Sequence, residues 1–268
     1  MSEILDTPKA PRVRRVAALA RKKERLETGC FLVEGPQAVR ELLAHRADLA
    51  EVVYATTGSE SWQFEVDRLA SDSGIRVERV TDAVLAAMAE TVQPQGVVAV
   101  ARIPEVLLGE ALAGAKLVAV LHEVRDPGNA GTVLRAADAA GADAVVFSGE
   151  SIDPWHPKVV RSTTGSLFHL PVVVAGSLDV VVDAARAEGL ETIAADVRGA
   201  DIVDARGELA GRIAWVFGKE ARGHGEAERG IVGRSLRLPI YGAAESLNLA
   251  TAASVLLYET AFAQRGAA

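Results

Sequence analysis

Short apolar runs alternate with amphipathic stretches along most of the chain, a pattern typical of α/β proteins. In the first part, each β-rich run leads into a stretch with helical periodicity. Pro36 suits the first turn of one such helix, and Thr81 is placed to cap another. The pattern predicts a small α/β unit with strands at residues 31–35, 51–56, 75–80 and 96–102.

The alternation breaks at residues 103–116, IPEVLLGEALAGAK, where Pro104, Gly109 and Gly114 interrupt any long element. A linker is the simplest interpretation, and a short connecting helix fits the same residues. We therefore predict an N-terminal domain at residues 1–103, a linker at 104–115 and a C-terminal domain at 116–268.

The second part of the chain carries continuous apolar runs, as expected for a parallel sheet covered by helices on both faces. The predicted strands are LVAVLHEV, AVVFS, PVVVAG, ETIAAD, RIAWVFG and SLRLPI. A long helix ends this series, and Leu249, Ala253, Leu256 and Thr260 fall on one stripe of it. The predicted fold class is therefore α/β in both domains.

The last helix also bears on the oligomeric state. Its apolar face combines small residues with leucines, and such a face needs cover. We therefore expect a homodimer through the C-terminal domain, with an obligate interface above about 2,000 Å² in total. The residues of this face are Ala250, Ala252, Ala253, Leu256 and Leu257.

Composition indicates a soluble protein, because 49% of the 268 residues are hydrophobic and no apolar run is long enough to span a membrane. The N-terminal sequence lacks the apolar core of a signal peptide, so we expect a cytoplasmic location. The single cysteine, Cys30, excludes an internal disulfide and suits a small buried residue. The histidines show no HxxxH pairing, so we assign no metal; they are His45, His122, His156, His169 and His224.

The charge is unevenly distributed. The net charge is −7, yet residues 9–25 hold eight basic residues and one acid, so this segment is +7 and the rest is −14. A solvated helix face would explain the segment, and so would an arm that contacts phosphates. The candidate contacts are Arg14, Arg15, Lys22 and Lys23.

Three loops that follow predicted strands carry unusual residues, namely DPGNAG at 126–131, FGKEARGHG at 217–225 and LPIYGAAESLN at 238–248. In a parallel sheet all three open at the carboxyl ends of the strands, where α/β proteins bind ligands. The second loop lacks the Lys-Ser/Thr of a P-loop, and the chain has neither a GxGxxG after a strand nor a GxSxG elbow.

Extended by their neighbours to DPGNAGTVLRAADAAGADAVV, FGKEARGHG and LPIYGAAESLNLATAASVLLYE, these loops resemble the three ordered motifs of the SpoU/TrmH branch of the SPOUT RNA methyltransferases. The resemblance covers about residues 117–266 and implies an α/β domain with a deep trefoil knot. GCFLVEGPQAVRELL and TVQPQGVVAVA are similar to the SpoU substrate-binding domain, a small fold like that of RNA-binding ribosomal proteins.

The resemblance implies methyl transfer from S-adenosylmethionine to a ribose 2′-hydroxyl of RNA, without a metal. Because tRNA enzymes of this branch often lack the N-terminal domain, large-subunit (23S) rRNA is favoured over tRNA. A non-catalytic RNA-binding factor of ribosome assembly is the alternative from another class. The sequence leaves open whether the methylation would serve housekeeping or antibiotic resistance.

By the same resemblance, Arg135 is the proposed general base. Arginine normally stays protonated, so we interpret it as holding a phosphate and stabilising the developing alkoxide. A salt bridge to Asp126 or Asp138 is the structural alternative. The implied reacting centre comprises Arg135, Asn129, Glu220, Ser246 and Asn248.

Several of these residues also have structural interpretations. Asn129 and Ser246 are both candidates for helix N-caps, and Glu220 would orient Arg135 or a loop amide. Lys158 and Arg161 share one helical face and would contact RNA or solvent. The donor-binding residues implied by the resemblance are Gly218, Leu238, Ile240, Leu247 and Leu249, of which Ile240 and Leu249 would equally suit the core.

Overall fold

The computed structural model describes residues 4–58, 60–218 and 225–266, which form two compact units. The first unit comprises Met1–Glu105 and Trp155–His169, and the second comprises Val106–Pro154 and Leu170–Ala268. Within the described ranges, no helix combines the length and apolar character needed to cross a bilayer.

The first unit contains a four-stranded sheet in the order β1-β4-β2-β3. Strand β4 runs antiparallel to β1 and β2, and β2 runs parallel to β3. The four strands predicted from the sequence are thus confirmed. They are β1 (Cys30–Glu34), β2 (Ala50–Thr56), β3 (Val77–Val80) and β4 (Val97–Arg102).

Short helices surround this sheet, and local sequence explains their starts. Pro36 stands in the first turn of α3, and the Thr81 hydroxyl accepts a hydrogen bond from the Val84 amide at the start of α5. Both predicted helix starts are confirmed. The helices are α1 (Pro11–Ala18), α2 (Lys22–Thr28), α3 (Pro36–His45), α4 (Ser61–Asp72) and α5 (Asp82–Met88), with a 3₁₀ turn at Ala47–Leu49.

The second unit contains a six-stranded, fully parallel sheet in the order β10-β8-β9-β5-β6-β7. Every residue of β5 and β9 is buried, because helices cover both faces of the central strands. All six strands were predicted. They are β5 (Leu117–His122), β6 (Ala144–Ser148), β7 (Val172–Val174), β8 (Glu191–Asp201), β9 (Ile213–Phe217) and β10 (Arg234–Arg237).

The helices of the second half begin with a short one inside the predicted linker, as the alternative interpretation of that segment allowed. They are α6 (Leu108–Leu112), α7 (Pro127–Ala140), α8 (Pro157–Ser162), α9 (Leu178–Ala187), α10 (Ile202–Ala205), α11 (Glu226–Val232) and α12 (Leu249–Gly266), with 3₁₀ turns at Ser166–Phe168 and Arg206–Glu208.

The segment 155–169, with α8, packs in the first unit although it follows β6 in the chain. The domain boundary predicted from the sequence places this segment in the C-terminal domain, and its aromatic residues explain the difference. The rings of Trp155 and Phe168 lie 5.0 Å and 6.4 Å from the ring of Phe31, which is fully buried. The segment completes a core that residues 1–105 leave open.

The last helix, α12, packs within its own unit against α7, β5 and β9. Ala253, Leu256 and Thr260 of the predicted stripe are buried, and Thr260 accepts a hydrogen bond from the indole of Trp215 at 2.9 Å. The face that suggests a homodimer in the sequence is also covered within the chain, because Ala250, Ala253, Leu256 and Leu257 are buried and α12 packs on α7 and the sheet. This face therefore gives no evidence for a dimer. The apolar side chains that α12 exposes are Val255, Tyr258 and Phe262.

Candidate active site

A cleft of about 490 Å³ opens at the carboxyl edge of the parallel sheet, where β8, β9 and β10 end. This is the position at which α/β sheets bind ligands, and the volume lies within the range of roughly 300–1,000 Å³ typical of small-molecule sites. All the residues predicted to bind a donor line this one cleft: Gly218, Leu238, Ile240, Leu247 and Leu249.

One wall of the cleft is a bulge in β8. Ser235 of β10 pairs with Ala194, and the next residue, Leu236, pairs with Ala200, so residues 195–199 have no partner on β10. The two strands approach closely again at Gly199, where a Cβ would lie 2.5 Å from the backbone of Ser235. Glycine is therefore required at this position for the bulge to rejoin the strand.

An ion pair closes the bulge. The guanidinium of Arg198 donates to both carboxylate oxygens of Asp196, at 3.0 Å and 2.9 Å, and the Arg198 backbone amide donates to the same carboxylate at 2.9 Å. This hydrogen bonding raises the pKa of Arg198. The Asp196 side chain is fully buried, so it places a fixed, compensated negative charge in the cleft wall.

Sequence reasoning missed Asp196 and Arg198. The available signal was a polar residue that ends the apolar run ETIAAD, three positions before a glycine. Polar residues at the carboxyl end of a parallel strand are candidates for a site. The cleft lining also includes apolar side chains, among them Phe217, Ile240 and Leu256.

Two predicted catalytic residues meet beside the cleft. The side-chain amide of Asn248 donates to the side-chain carbonyl of Asn129 at 2.9 Å. Asn248 also caps α12, since its Oδ1 accepts from the amides of Ala250 and Thr251 at 2.9 Å and 3.2 Å. One side chain therefore both starts the last helix and orients Asn129.

The cap assignments for Asn129 and Ser246 were wrong. Helix α7 begins at Pro127 and is capped by Asp126, whose Oδ1 accepts the Asn129 amide at 2.7 Å, so Asn129 is the third residue of the helix and not its cap. Ser246 lies two residues before the cap of α12 and is exposed on the cleft lining. The caps are therefore neighbouring residues, Asp126 for α7 and Asn248 for α12.

Arg135 lies on the exposed side of α7, on the same stripe as Thr132. Its guanidinium forms no hydrogen bond or ion pair with any residue of the ranges 4–58, 60–218 and 225–266. The alternative salt bridges to Asp126 and Asp138 are not present there. Glu220, the remaining predicted member of the reacting centre, falls outside the described residues.

The basic N-terminal segment divides into structural and surface residues. Arg25 is buried and donates to the backbone carbonyls of Leu19 and Ala20 at 2.8 Å and 2.9 Å, so it holds the turn between α1 and α2. The four predicted contact residues are all exposed, and of these Lys23 lies 3.6 Å from Glu27. They are Arg14, Arg15, Lys22 and Lys23.

The two basic residues of α8 have different environments. Lys158 is exposed, whereas Arg161 is bound between two carboxylates, at 3.2 Å from Glu34 and 2.6 Å from Glu90. Glu34 is buried and also accepts from the backbone amides of the loop at 90–91. This pairing neutralises Arg161 within the first unit and favours a structural role over contact with RNA.

The fold and the cleft define an α/β enzyme domain with a ligand site at its carboxyl edge. The chain belongs to the SpoU rRNA Methylase family, which matches residues 116–258. A second family, the MRM3-like substrate binding domain, matches residues 10–99. The resemblance noted from the three loops is thus confirmed.

The similarity to known proteins covers nearly the whole chain. The 23S rRNA (guanosine(2553)-2'-O)-methyltransferase RlmP of Bacillus subtilis is 35% identical over 257 residues, or 95% of this chain and 97% of that protein. A 23S rRNA (uridine(2479)-2'-O)-methyltransferase of Streptomyces viridochromogenes is 31% identical over 91% of this chain and 86% of that protein. The solved structure of AviRb from S. viridochromogenes in complex with the cofactor AdoMet superposes with a TM-score of 0.83 at 28% identity, covering 97% of this chain and 100% of that one.

Proposed function

We propose that this chain methylates a ribose 2′-hydroxyl of RNA with S-adenosylmethionine as donor, and that its substrate is 23S rRNA. The family membership and the 23S rRNA methyltransferases among its relatives support the reaction and the substrate. The match to a substrate-binding domain in the first unit supports RNA as the partner. Ribosomal RNA of bacteria is a cytoplasmic substrate, in keeping with the expected location.

The cleft in the second unit fits the donor. Apolar side chains of Ile240 and Leu249 suit the flat adenine, and buried Gly218 lets a ligand approach the backbone closely. The charged wall of Asp196 and Arg198 suits a molecule that carries a sulfonium and an amino acid group. The cleft lining thus offers both apolar and charged side chains to the two chemically different halves of S-adenosylmethionine.

The bound donor supplies an electrophilic methyl group, and the chain supplies orientation and electrostatics. Asn129 and Asn248 carry amides that can hold a ribose in line, and their mutual hydrogen bond fixes both. Asn129 lies in the first turn of α7 and Asn248 caps α12, so two helix N-termini meet here. Their partial positive charge stabilises the negative charge that develops on the ribose oxygen.

We assign to Arg135 the positive charge that acts on the RNA. An exposed guanidinium with no partner in the described ranges has its planar donors available for a phosphate next to the reacting ribose and for the developing alkoxide. A permanently charged side chain stabilises the alkoxide without accepting its proton. The proton leaves to solvent or to the substrate phosphate.

The first unit grips the RNA. Its helices α1 and α2 expose the cationic side chains of Arg14, Arg15, Lys22 and Lys23, while Arg25 fixes the turn between them. Phosphate contacts of this kind add affinity without specifying sequence. The overall charge of −7 limits non-specific binding elsewhere on the molecule.

We further propose that the C-terminal segment forms a trefoil knot. Strand β10 lies at the sheet edge beyond β8, yet α12, which is separated from β10 by residues 238–248, packs against α7, β5 and β9. The intervening loop 238–248 therefore runs back across the carboxyl ends of β8 and β9. Passage of this loop through the loop that follows β9 would enclose the donor cleft.

We also propose that two copies pair through the second unit, along the exposed face of α12. Tyr258 and Phe262 form a tilted aromatic pair with centroids 5.6 Å apart, and Val255 continues the same apolar surface. An exposed apolar patch of this kind is typical of an interface. This face replaces the buried stripe that suggested a dimer at first.

The hydrogen bond between Asn129 and Asn248 carries the proposal, because it joins residues of two separate motifs in one geometry. The test is methyl transfer from labelled S-adenosylmethionine to protein-free 23S rRNA, 16S rRNA and tRNA, followed by mapping of 2′-O-methyl positions. We expect one labelled ribose in 23S rRNA. Label in tRNA alone would overturn the substrate assignment, and donor binding without transfer to any RNA or to ribosomal particles would favour an assembly factor.

A further inference from the structure

Two histidines and a glutamate of the first unit meet on one side of α3. The Nε2 atoms of His45 and His169 lie 3.4 Å and 3.2 Å from the same oxygen, Oε2 of Glu41. The two imidazole rings are edge to face with centroids 4.5 Å apart. His45 and His169 are 124 positions apart in the chain, so no spacing rule could have paired them.

The ligand atoms have the separations of a coordination site. Zn–N and Zn–O bonds of about 2.0–2.2 Å in a tetrahedron give neighbouring ligand atoms about 3.3 Å apart. The two measured distances, 3.4 Å and 3.2 Å, straddle this value. One atom from each of the three residues lies within 4.8 Å of the others, so a single ion can touch all three.

The carboxylate of Glu41 is held in the orientation that such an ion needs. Its other oxygen, Oε1, accepts a hydrogen bond from the side-chain amide of Gln37 at 2.6 Å, one helical turn earlier. This leaves Oε2 turned toward both imidazoles. A hydrogen bond to the non-ligating oxygen is the usual support of a metal-bound carboxylate.

A glycine makes the approach sterically feasible. Gly165 has φ +105°, and a Cβ at this position would overlap the side chain of Glu41. Gly165 therefore lets the end of the segment 155–169 pack onto α3 and bring His169 to Glu41. The side chains of all three residues remain partly exposed, which gives an ion a path of entry.

We propose that Glu41, His45 and His169 bind one divalent transition-metal ion of the zinc class, with water as the fourth ligand. Two imidazoles and one carboxylate suit Zn²⁺. Ca²⁺ and Mg²⁺ prefer ligand sets made of oxygen atoms only, so these residues do not suit them. The ion fastens the end of the segment 155–169 to α3, because its ligands come from both. Its role is structural and is independent of the proposed methyl transfer, whose donor cleft lies in the second unit.

The test is titration of the metal-stripped full chain, without a histidine tag, with Zn²⁺ by calorimetry and with Co²⁺ by visible absorption. We expect one ion per chain, intense absorption of four-coordinate Co²⁺, and a rise in melting temperature with Zn²⁺. His45→Ala and His169→Ala each abolish stoichiometric binding. Gln37→Ala keeps all three ligands and weakens binding by about 10–100-fold.

His156→Asn is the matched control. It removes an imidazole from the same unit, and asparagine retains an acceptor for the Lys158 amide that His156 now caps. Melting curves without metal establish that each variant folds. Glu41→Gln tests the carboxylate ligand in the same way, at a partly exposed position. Absence of saturable binding by the wild-type chain would overturn the proposal, as would binding that survives the loss of both His45 and His169.

Discussion

The side-chain amide of Asn248 donates to the side-chain carbonyl of Asn129 across 2.9 Å, although 119 positions separate the two residues. The same Asn248 side chain accepts the first free amides of α12. The end of the loop 238–248 is therefore fixed to the first turn of α7, at the point where α12 begins.

Substitutions of Asn248 separate its two roles. Asn248→Asp keeps an oxygen to cap α12 but cannot donate to Asn129, so we expect a near-normal melting temperature and a large loss of methyl transfer. Asn248→Ala loses both functions and should also destabilise the fold by about 1 kcal/mol. Thermal unfolding and single-turnover transfer measure the two effects, and normal transfer by Asn248→Asp would exclude the hydrogen bond from catalysis.

Arg135→Lys should reduce turnover by about 10²–10³-fold, because lysine keeps the charge but loses the planar fork. Donor affinity and melting temperature should stay almost constant, since Arg135 holds no ion pair in the described part of the chain. Single-turnover rates, donor titration and melting curves on one preparation provide the comparison. A near-normal rate would move the catalytic role to Asn129 and Asn248.

Changing Arg14 and Arg15 to glutamine should flatten the salt dependence of RNA binding, by up to about 0.7–0.9 in the log–log slope per lost phosphate contact. The matched control changes Arg68 and Arg76, which are also exposed and lie outside the basic segment. Binding isotherms at several salt concentrations measure the slope. Equal effects of the two pairs would mean that the segment is only a solvated surface.

Phe262→Asp should convert a dimer to a monomer in light scattering without lowering the melting temperature of the subunit, because 65% of Phe262 is exposed. Val180→Asp, at an exposed apolar position of α9, is the control and should leave the dimer intact. A wild-type chain that is monomeric at micromolar concentration would rule out the proposed pairing.

Cys30 should react with iodoacetamide more slowly in the folded chain than in urea at the same pH. Burial is the main cause of its raised pKa; Glu51 adds to the shift and Arg102 opposes it. Because the folded-state pKa is raised, the associated stability is present below the unfolded pKa and is lost as pH rises through the folded one. Glu51→Gln should speed alkylation, and equal rates in the folded and unfolded chain would contradict the raised pKa.

Apolar patterning was sufficient to predict the strands, since each is a continuous or alternating run with a turn signal at its end. The general rule for parallel sheets also predicts the three loops at the carboxyl edge, where the five cleft residues lie and where Asn129 meets Asn248 beside the cleft. These features depend on local sequence and on the general geometry of parallel sheets.

The features that were missed depend on contacts between distant residues. The bulge at 195–199 arises from the pairing register of β8 with β10, which strand composition does not encode. Arg25 belongs to a basic segment that the sequence assigns to the surface. In the structure it is buried, because it donates to two backbone carbonyls of the turn after α1. The contact of His45 with His169 exists only because the segment 155–169 returns to the first unit.

That return segment governs the order in which the protein can mature on the ribosome. Phe31 emerges early, whereas its ring partners Trp155 and Phe168 are synthesised 124 and 137 residues later. At typical rates of synthesis this delay is on the order of 10 s. A nascent chain that has not reached residue 155 keeps an open apolar core, although β5 and β6 have already been made. It is a substrate for chaperones and proteases until residues 155–169 have followed.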